Sequence, residues 1–228
     1  MNLALFDLDH TLLPIDSADT WSHHVVNRGE SDPERRRQQS GRIEHFATEY
    51  RAGTFDIAAY VDFQMELLAR HPRAQLDRWR DEFVQAHVEP ALRPEARAAI
   101  AAERARGAVV AIVTGTNRYV TRPIARAFGV DTLLAVQPEE RDCRFTGGHV
   151  GTHTYGHGKV VAVQSWLALL GTSLEQLAES AFYSDSINDL PLLEQVARPI
   201  VTNGDARLRH IAAERGWDTL QLFEAAHA

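Results

Sequence analysis

A single cysteine, Cys143, stands alone in 228 residues, so no internal disulfide can close and a reducing compartment, the cytoplasm, is the expected setting. Cys143 reads as a bystander thiol. Long apolar runs are also missing: Met1-Asn2 leads straight into four apolar residues, too few for an export signal, and no segment approaches a membrane span. Positive charge is in deficit, with 24 Lys and Arg against 31 Asp and Glu for a net charge of -7. That balance disfavours nucleic acid and anionic membranes as partners, and an anionic ligand would need local cationic help. Internal repeats and low-complexity tracts are absent. With 44% hydrophobic and 24% charged residues, the chain has the profile of a folded globular protein with one substantial core and an insert.

What is present begins with Leu3-Ala4-Leu5-Phe6, a short apolar strand that runs into Asp7-Leu8-Asp9-His10-Thr11. In extended chain, side chains two residues apart point the same way. Asp7 and Asp9 thus place like charges side by side against a core, and such a pair calls for a cation, a shared proton, or both. Taken alone, the pentad equally fits a strand ending in an Asx turn with both acids solvated.

Residues 17–87 show helical periodicity and no convincing strand. Ser31-Asp32-Pro33-Glu34 reads as a capping box with proline in the first turn. Ile43, Phe46, Ala47 and Tyr50 recur at helical spacing after it. A second helix is seeded at Thr54, carries Ile57, Tyr60, Val61, Gln64, Leu67 and Leu68 on one face, and breaks at His71-Pro72. A third, over 74–87, contains Leu76, Trp79 and Phe83. The segment reads as a small helical bundle inserted after the first strand.

From Pro94 onward helix and strand alternate. Helices are expected over 94–106, 118–128, 159–170 and 206–215, each of the first three followed by glycine at 107, 129 or 171. Strands are expected at 109–113, 133–136, 181–183 and 199–201, with a possible edge strand at 219–222 and a β-hairpin or flap over 138–158. The architecture is therefore α/β, a doubly wound, Rossmann-like parallel sheet core made of residues 1–15 and 89–228, with 16–88 as a separate helical domain.

Open parallel sheets bind ligands at the carboxyl ends of their strands. Asp7 and Asp9, then Thr114-Gly115, then Asp185 with Asn188 and Asp189 all fall at such ends, and Lys159 falls at a helix start. Carboxylates, a hydroxyl and an ammonium would gather around one point. Each piece has an ordinary alternative as a turn, a surface lysine or a helix cap. Other clusters carry less. His149, His153 and His157 have a spacing that would suit zinc on a helix, but glycines at 147, 148, 151, 156 and 158 argue against that helix. His23-His24 and Arg35-Arg36-Arg37 are expected on solvated helix faces.

Asp7-Leu8-Asp9-His10-Thr11, Thr114, Lys159 and the segment from Asp185 to Asp189 resemble the four motifs of the haloacid dehalogenase superfamily, in its aspartate-based phosphatase branch. The inserted helices resemble the cap of the branch containing phosphoserine phosphatase and certain histidinol-phosphate phosphatases, so the resemblance spans nearly the whole chain. It implies that Asp7 attacks phosphorus and forms an aspartyl phosphate. Asp9 would protonate the leaving alkoxide and then activate the hydrolytic water. Mg²⁺ would be held by the Asp7 and Asp185 carboxylates and the Asp9 carbonyl, with Asp189 positioning metal waters. Thr114, Gly115 and Lys159 would bind the phosphoryl group, and Asn188 would orient Lys159 or touch that group. Asp9 favours phosphoester chemistry, because a departing halide needs no proton.

Two departures bear on this. Ser184 and Ser186 flank Asp185 where the family commonly has glycine, and Asp16 stands where phosphoserine phosphatases carry a glutamate. Asp62 and Gln64 occupy the stretch where an arginine would clamp a substrate carboxylate. A phosphorylated amino alcohol such as histidinol phosphate is thus at least as well suited as phosphoserine. Asp16, Trp21, Tyr60 and Gln64 are the expected substrate contacts from the insert. The leading expectation is a Mg²⁺-dependent phosphomonoesterase of a small metabolite; the alternatives are a phosphotransferase using an acceptor alcohol and a catalytically silent phospholigand-binding protein.

Overall fold

The apolar N-terminal strand, β1 (Asn2–Phe6), takes the centre of a seven-stranded sheet. In this computed structural model, which describes residues 1–223, β2 (Ala108–Asn117) and β5 (Glu179–Ser184) flank it, both parallel. Beyond β2 lie β3 (Thr132–Arg141) and β4 (Arg144–Val150); beyond β5 lie β6 (Arg198–Thr202) and β7 (Asp218–Leu220). Only the β3–β4 hairpin is antiparallel. The chain leaves β1 and returns to both sides of it, which makes the gap beyond its carboxyl end the switch point of the sheet.

Burial on both faces explains why β1 reads as an uninterrupted apolar run. Ala4 and Phe6 enter one core and Leu3 and Leu5 the other, and Val110 and Ile112 alternate with Ala111 and Val113 in the same way on β2. The first face is covered by α5 (Pro94–Ala105) and α6 (Arg118–Ala127) through Ala96, Ile100, Val120 and Ile124. On the second face α7 (His157–Leu169), α8 (Leu190–Leu193) and α9 (Ala206–Arg215) contribute Val160, Val163, Leu192 and Leu208.

Between β1 and α5 run α1 (Ser17–Gly29), α2 (Pro33–Ala52), α3 (Ile57–Ala69) and α4 (Arg73–Phe83). They keep a small core of their own, Val26, Ile43, Phe46, Phe63 and Leu67. Trp21, Val61, Met65 and Phe83 nevertheless join the core of the first sheet face. Caps differ in detail from the sequence reading. Asp32, not Ser31, caps α2 by accepting from the Glu34 N–H, while its own N–H donates to Glu30. Gly53 closes α2 in the left-handed region at φ 74°, so α3 starts under the Asp56 cap and not at Thr54. The third expected helix changes pitch at Val84–Val88, which is π-helical. No helix among the described residues is long and apolar enough to cross a membrane.

The start of α7 is held tightly. A Cβ on Gly158 would lie 2.0 Å from the His153 carbonyl oxygen, a backbone atom that cannot swing aside. Gly158→Ala is expected to cost roughly 1–3 kcal/mol, read as a lowered thermal midpoint. Gly41, inside α2 with nothing within 4 Å of its Cβ position, should behave oppositely. Gly41→Ala is expected to gain roughly 0.5–1 kcal/mol in the same measurement.

Candidate active site

Asp7 leaves the end of β1 with its N–H donating to the Tyr183 carbonyl on β5, at 2.9 Å. The chain then folds back over itself: His10 takes φ 58°, and the N–H groups of Leu12 and Leu13 both donate to the Leu8 carbonyl. Thr11 is delivered by this turn to the loop after β5. Its hydroxyl donates to the Asp185 carboxylate at 2.8 Å and accepts from the Asp185 N–H at 3.0 Å. Asn203, after β6, fastens the turn from below by donating to the His10 and Thr11 carbonyls.

Lys159 joins three of the segments. The residue is 3% exposed, and its ammonium lies 2.7 Å from Asp7 Oδ1 and 2.7 Å from Asp189 Oδ2. Burial opposes its charge, yet the two carboxylates hold the ammonium above the ordinary lysine value. Ser184 donates to the same Asp189 oxygen at 2.6 Å. Asn188 makes no bond to Lys159; its amide and its backbone N–H both reach Ser186 Oγ at 3.2 Å. The serines that replace glycine are therefore both in use.

Asp9 faces a different set of partners. Its carboxyl group accepts from the Ser17 N–H at the start of α1 and from the Thr116 hydroxyl, at 2.9 and 2.8 Å. Thr114 accepts from the Thr116 N–H, so its own proton stays free to be donated. Desolvation is the largest influence on all three of the cluster's perturbed acids. Burial raises Asp7 to about 6 against the pull of Lys159, and burial with the nearby Asp16 charge raises Asp9 to about 8. Burial and Asp7 raise Asp185 well above the usual carboxylate range. The acids outnumber the one buried ammonium, and the excess shows as protons retained.

Above these groups opens a cavity of about 640 Å³. Its floor is Asp7, Asp9, Thr114, Gly115, Lys159, Asp185, Asn188 and Asp189; Asp16 and Tyr60 stand on its walls. Trp21 and Gln64 do not. Trp21 is fully buried, edge-on to Phe83 and Tyr119. Gln64 is 4% exposed and donates to Ser22 on α1 at 2.6 Å. Both lie on helix faces turned towards the core. Instead the walls carry Phe46, Tyr50, Phe55 and Tyr155, with Arg51 and Asp19. The period of α2 exposed Phe46 and Tyr50 as a stripe in the sequence, but spacing cannot distinguish a core-facing stripe from one facing a cavity. Burial pushes the Tyr50 hydroxyl up to about 12.

The decoys also resolve. His149 lies on β4, His153 in a loop and His157 at the start of α7, so no helix aligns them. His24 is half-buried with Nε2 unpaired, not on a solvated face, and burial lowers its pKa.

An unfolded aspartate titrates near 3.8, and the folded chain holds the Asp9 proton to about 8. Between those values the folded state binds a proton that the unfolded chain has lost. The stability tied to this group is fullest below the window and falls as pH rises through it. In chelator-treated protein, Asp9→Asn is expected to raise the unfolding midpoint over the parent at about pH 8, with a gap that closes towards about pH 4. Each kcal/mol should appear as roughly 2–4 °C. A gap independent of pH would contradict the assignment.

The profile of the haloacid dehalogenase-like hydrolases matches residues 4–194. The histidinol-phosphatase of Neisseria meningitidis serogroup C (strain 8013) is 34% identical over 222 residues, which cover 97% of this chain and 99% of that one. A crystal structure of a protein of unknown function from Bordetella pertussis Tohama I is 45% identical, with a TM-score of 0.90 and coverage of 97% and 99%. A phosphoserine phosphatase solved as a phospho-aspartyl intermediate analogue gives a TM-score of 0.68 over 98% and 94% of the two chains. At 18% identity that likeness concerns the fold alone. A profile match over most of its length, and a relative aligned almost end to end, show that the chain is an enzyme of the haloacid dehalogenase-like hydrolase family.

Proposed function

We propose that the protein is a cytoplasmic, Mg²⁺-dependent phosphomonoesterase that hydrolyses a small phosphorylated amino alcohol, histidinol phosphate, through a phosphoryl group carried on Asp7. The observation that carries this is the Asp7–Lys159–Asp189 arrangement at the switch point of the sheet, beneath a cavity, with a proton-holding Asp9 two residues along. Residues 16–88 would act as a cap over a core of 1–15 and 89–228, of which 224–228 lie outside the described residues.

The donor set fits magnesium. It is all oxygen, and Asp7 sits close enough to Asp185 for its charge to raise the Asp185 pKa, with no cation but Lys159 shared among the acids of the floor. Among the described residues, no three His, Cys, Asp or Glu side chains form a ready cluster. The set proposed here uses two side chains, Asp7 and Asp185, with the Asp9 carbonyl, and leaves Asp189 to its bonds with Lys159 and Ser184. Bound there, the ion would offset the repulsion between two anions and polarise phosphorus.

The chain's own residues supply the remaining chemistry. A carboxylate oxygen of Asp7 bonds to phosphorus as the ester P–O bond breaks, and the Asp9 proton passes to the departing alkoxide. Asp9, now ionised, takes a proton from water as that oxygen bonds to phosphorus and the Asp7–phosphoryl bond breaks. Lys159 spends two of its three N–H donors on Asp7 and Asp189, which leaves one for a phosphoryl oxygen. Thr114 offers its free hydroxyl proton to another.

Substrate preference follows from the wall of the cavity. Asp16 and Asp19 stand there with Tyr60, Phe46 and Phe55, and burial beside Asp16 raises the pKa of Asp19. A cationic group with a flat ring fits an acidic, aromatic wall. Asp62 is exposed and away from the cavity, so α3 brings no cation to meet a carboxylate, and Arg51 of α2, the cation on the wall, already faces Asp19. The similarity to a histidinol-phosphatase along nearly the whole chain supports the same reading.

With Mg²⁺ present, the purified protein should release phosphate from histidinol phosphate with kcat/KM at least about tenfold above that for phosphoserine, a difference near 1.4 kcal/mol. Asp7→Asn should lower the rate by about 10³-fold or more. An inactive parent across a broad panel of phosphomonoesters, or an Asp7→Asn variant matching it, would remove the proposal. Asp16→Asn should raise KM for histidinol phosphate by roughly tenfold while leaving an uncharged alkyl phosphate little changed. Equal losses on both esters would mean that Asp16 does not read the substrate's charge.

A further inference from the structure

Tyr50 comes from the last turns of α2 and makes one hydrogen bond, to Ser186 Oγ at 2.8 Å, across 136 positions of sequence. Ser186 follows Asp185 directly and lines the cavity. The direction of that bond is fixed by what else Ser186 holds. A serine hydroxyl has one proton and two lone pairs. Ser186 Oγ already receives the Asn188 backbone N–H and the Asn188 side-chain amide, both at 3.2 Å, and both can only donate. Its proton must therefore go to the Tyr50 oxygen. The phenolic proton of Tyr50 is left with no acceptor among the described residues, on a ring that lines the cavity and is 40% exposed.

We propose that Tyr50 is a further phosphoryl-binding residue, donating its hydroxyl proton to an oxygen of the bound phosphoryl group, and that Ser186 is the residue that positions it. The place suits the role. The charges of Asp185 and Asp7 both reach the Tyr50 hydroxyl, and Thr114, Tyr155, Lys159, Ser186 and Asn188 line the same cavity. Lys159 and Thr114 would each serve one phosphoryl oxygen from the core, and Tyr50 would serve a third from the helical segment. The group being bound would thereby touch both parts of the chain at once. Phosphate capture would favour α2 held against the loop after β5, and water would be shut out as the anion settles. Glycine at position 186 would lack the hydroxyl that bonds Tyr50 at 2.8 Å.

The inference rests on the phosphomonoesterase reading, and the test separates the two. Inorganic phosphate, the product of any such reaction, serves as probe: its inhibition constant is measured on the Mg²⁺-loaded enzyme, and its binding is followed directly by titration. Tyr50→Phe keeps the ring and should weaken phosphate about tenfold by both readouts, with the thermal midpoint close to the parent's. Ser186→Ala should weaken phosphate at least about threefold in the parent and by clearly less in the Tyr50→Phe background, because the two act through one proton. Tyr50→Phe binding phosphate within about twofold of the parent would overturn the inference while leaving the phosphatase reading intact. Equal Ser186→Ala effects in the two backgrounds would overturn the positioning role. A parent that neither turns over a phosphomonoester nor binds phosphate would take both readings down together.

Discussion

One buried ammonium between two aspartates organises this molecule. Lys159 is reached from three directions: from the central strand by Asp7, from the loop after β5 by Asp189, and from α7, which carries it. A charge so enclosed is tolerable only when paired and hydrogen-bonded, and both partners are at 2.7 Å. The pairing is incomplete in the opposite sense, because Asp9 and Asp185, if ionised, would add negative charge that nothing in the floor neutralises. Burial first, and then the neighbouring acids, keep their protons on. The fold thus carries a locally unfavourable arrangement, which is the usual sign of a site shaped by its ligand rather than by stability.

Tolerance for that surplus comes from the backbone around it. Asp7 sits one residue beyond a strand whose neighbours on both sides are parallel, and the Thr11–Asp185 exchange of hydrogen bonds stitches the first loop to the third. Asn203 ties the same loop to the C-terminal stretch, since its carbonyl oxygen accepts from Leu222 N–H while its amide holds His10 and Thr11. The first tie also orients the Asp185 carboxylate, while Asn203 in the second lies outside the cavity lining. Each removes freedom that four crowded carboxylates would otherwise use to move apart.

The sequence made the sheet and the floor of the site readable for the same reason. Strands buried on both faces leave continuous apolar runs, and a polar residue at the end of such a run has few other uses; Asp7, Thr114 and Asp185 stood out on that ground. The walls were harder. Helical spacing identified Phe46, Tyr50 and Tyr60 as one-sided, yet Trp21 and Gln64 looked equally suitable and turned inward to Phe83 and to Ser22. Which stripe of a helix faces a cavity depends on how helices pack on one another, and that information is distributed over many weak contacts. Cap positions failed by one or two residues for a more local reason. At Ser31-Asp32 two good capping residues are adjacent, and backbone φ and ψ, not residue type, select between them.

The serines on either side of Asp185 show how a departure from a family's usual residue can be more informative than agreement with it. Glycine there would serve only backbone geometry, whereas each hydroxyl here has specific partners. Ser184 donates to Asp189 and accepts from the Ser186 N–H, so it steadies the carboxylate that holds Lys159. Ser186 gathers Asn188 from its own loop and Tyr50 from α2. The two side chains therefore extend one hydrogen-bonded chain from Lys159 through Asp189, Ser184 and the Ser186 backbone to the aromatic wall. In a low-dielectric site such a chain polarises along its length. The acid floor and the aromatic lining are then joined by hydrogen bonds that run from Lys159 to Tyr50 of α2.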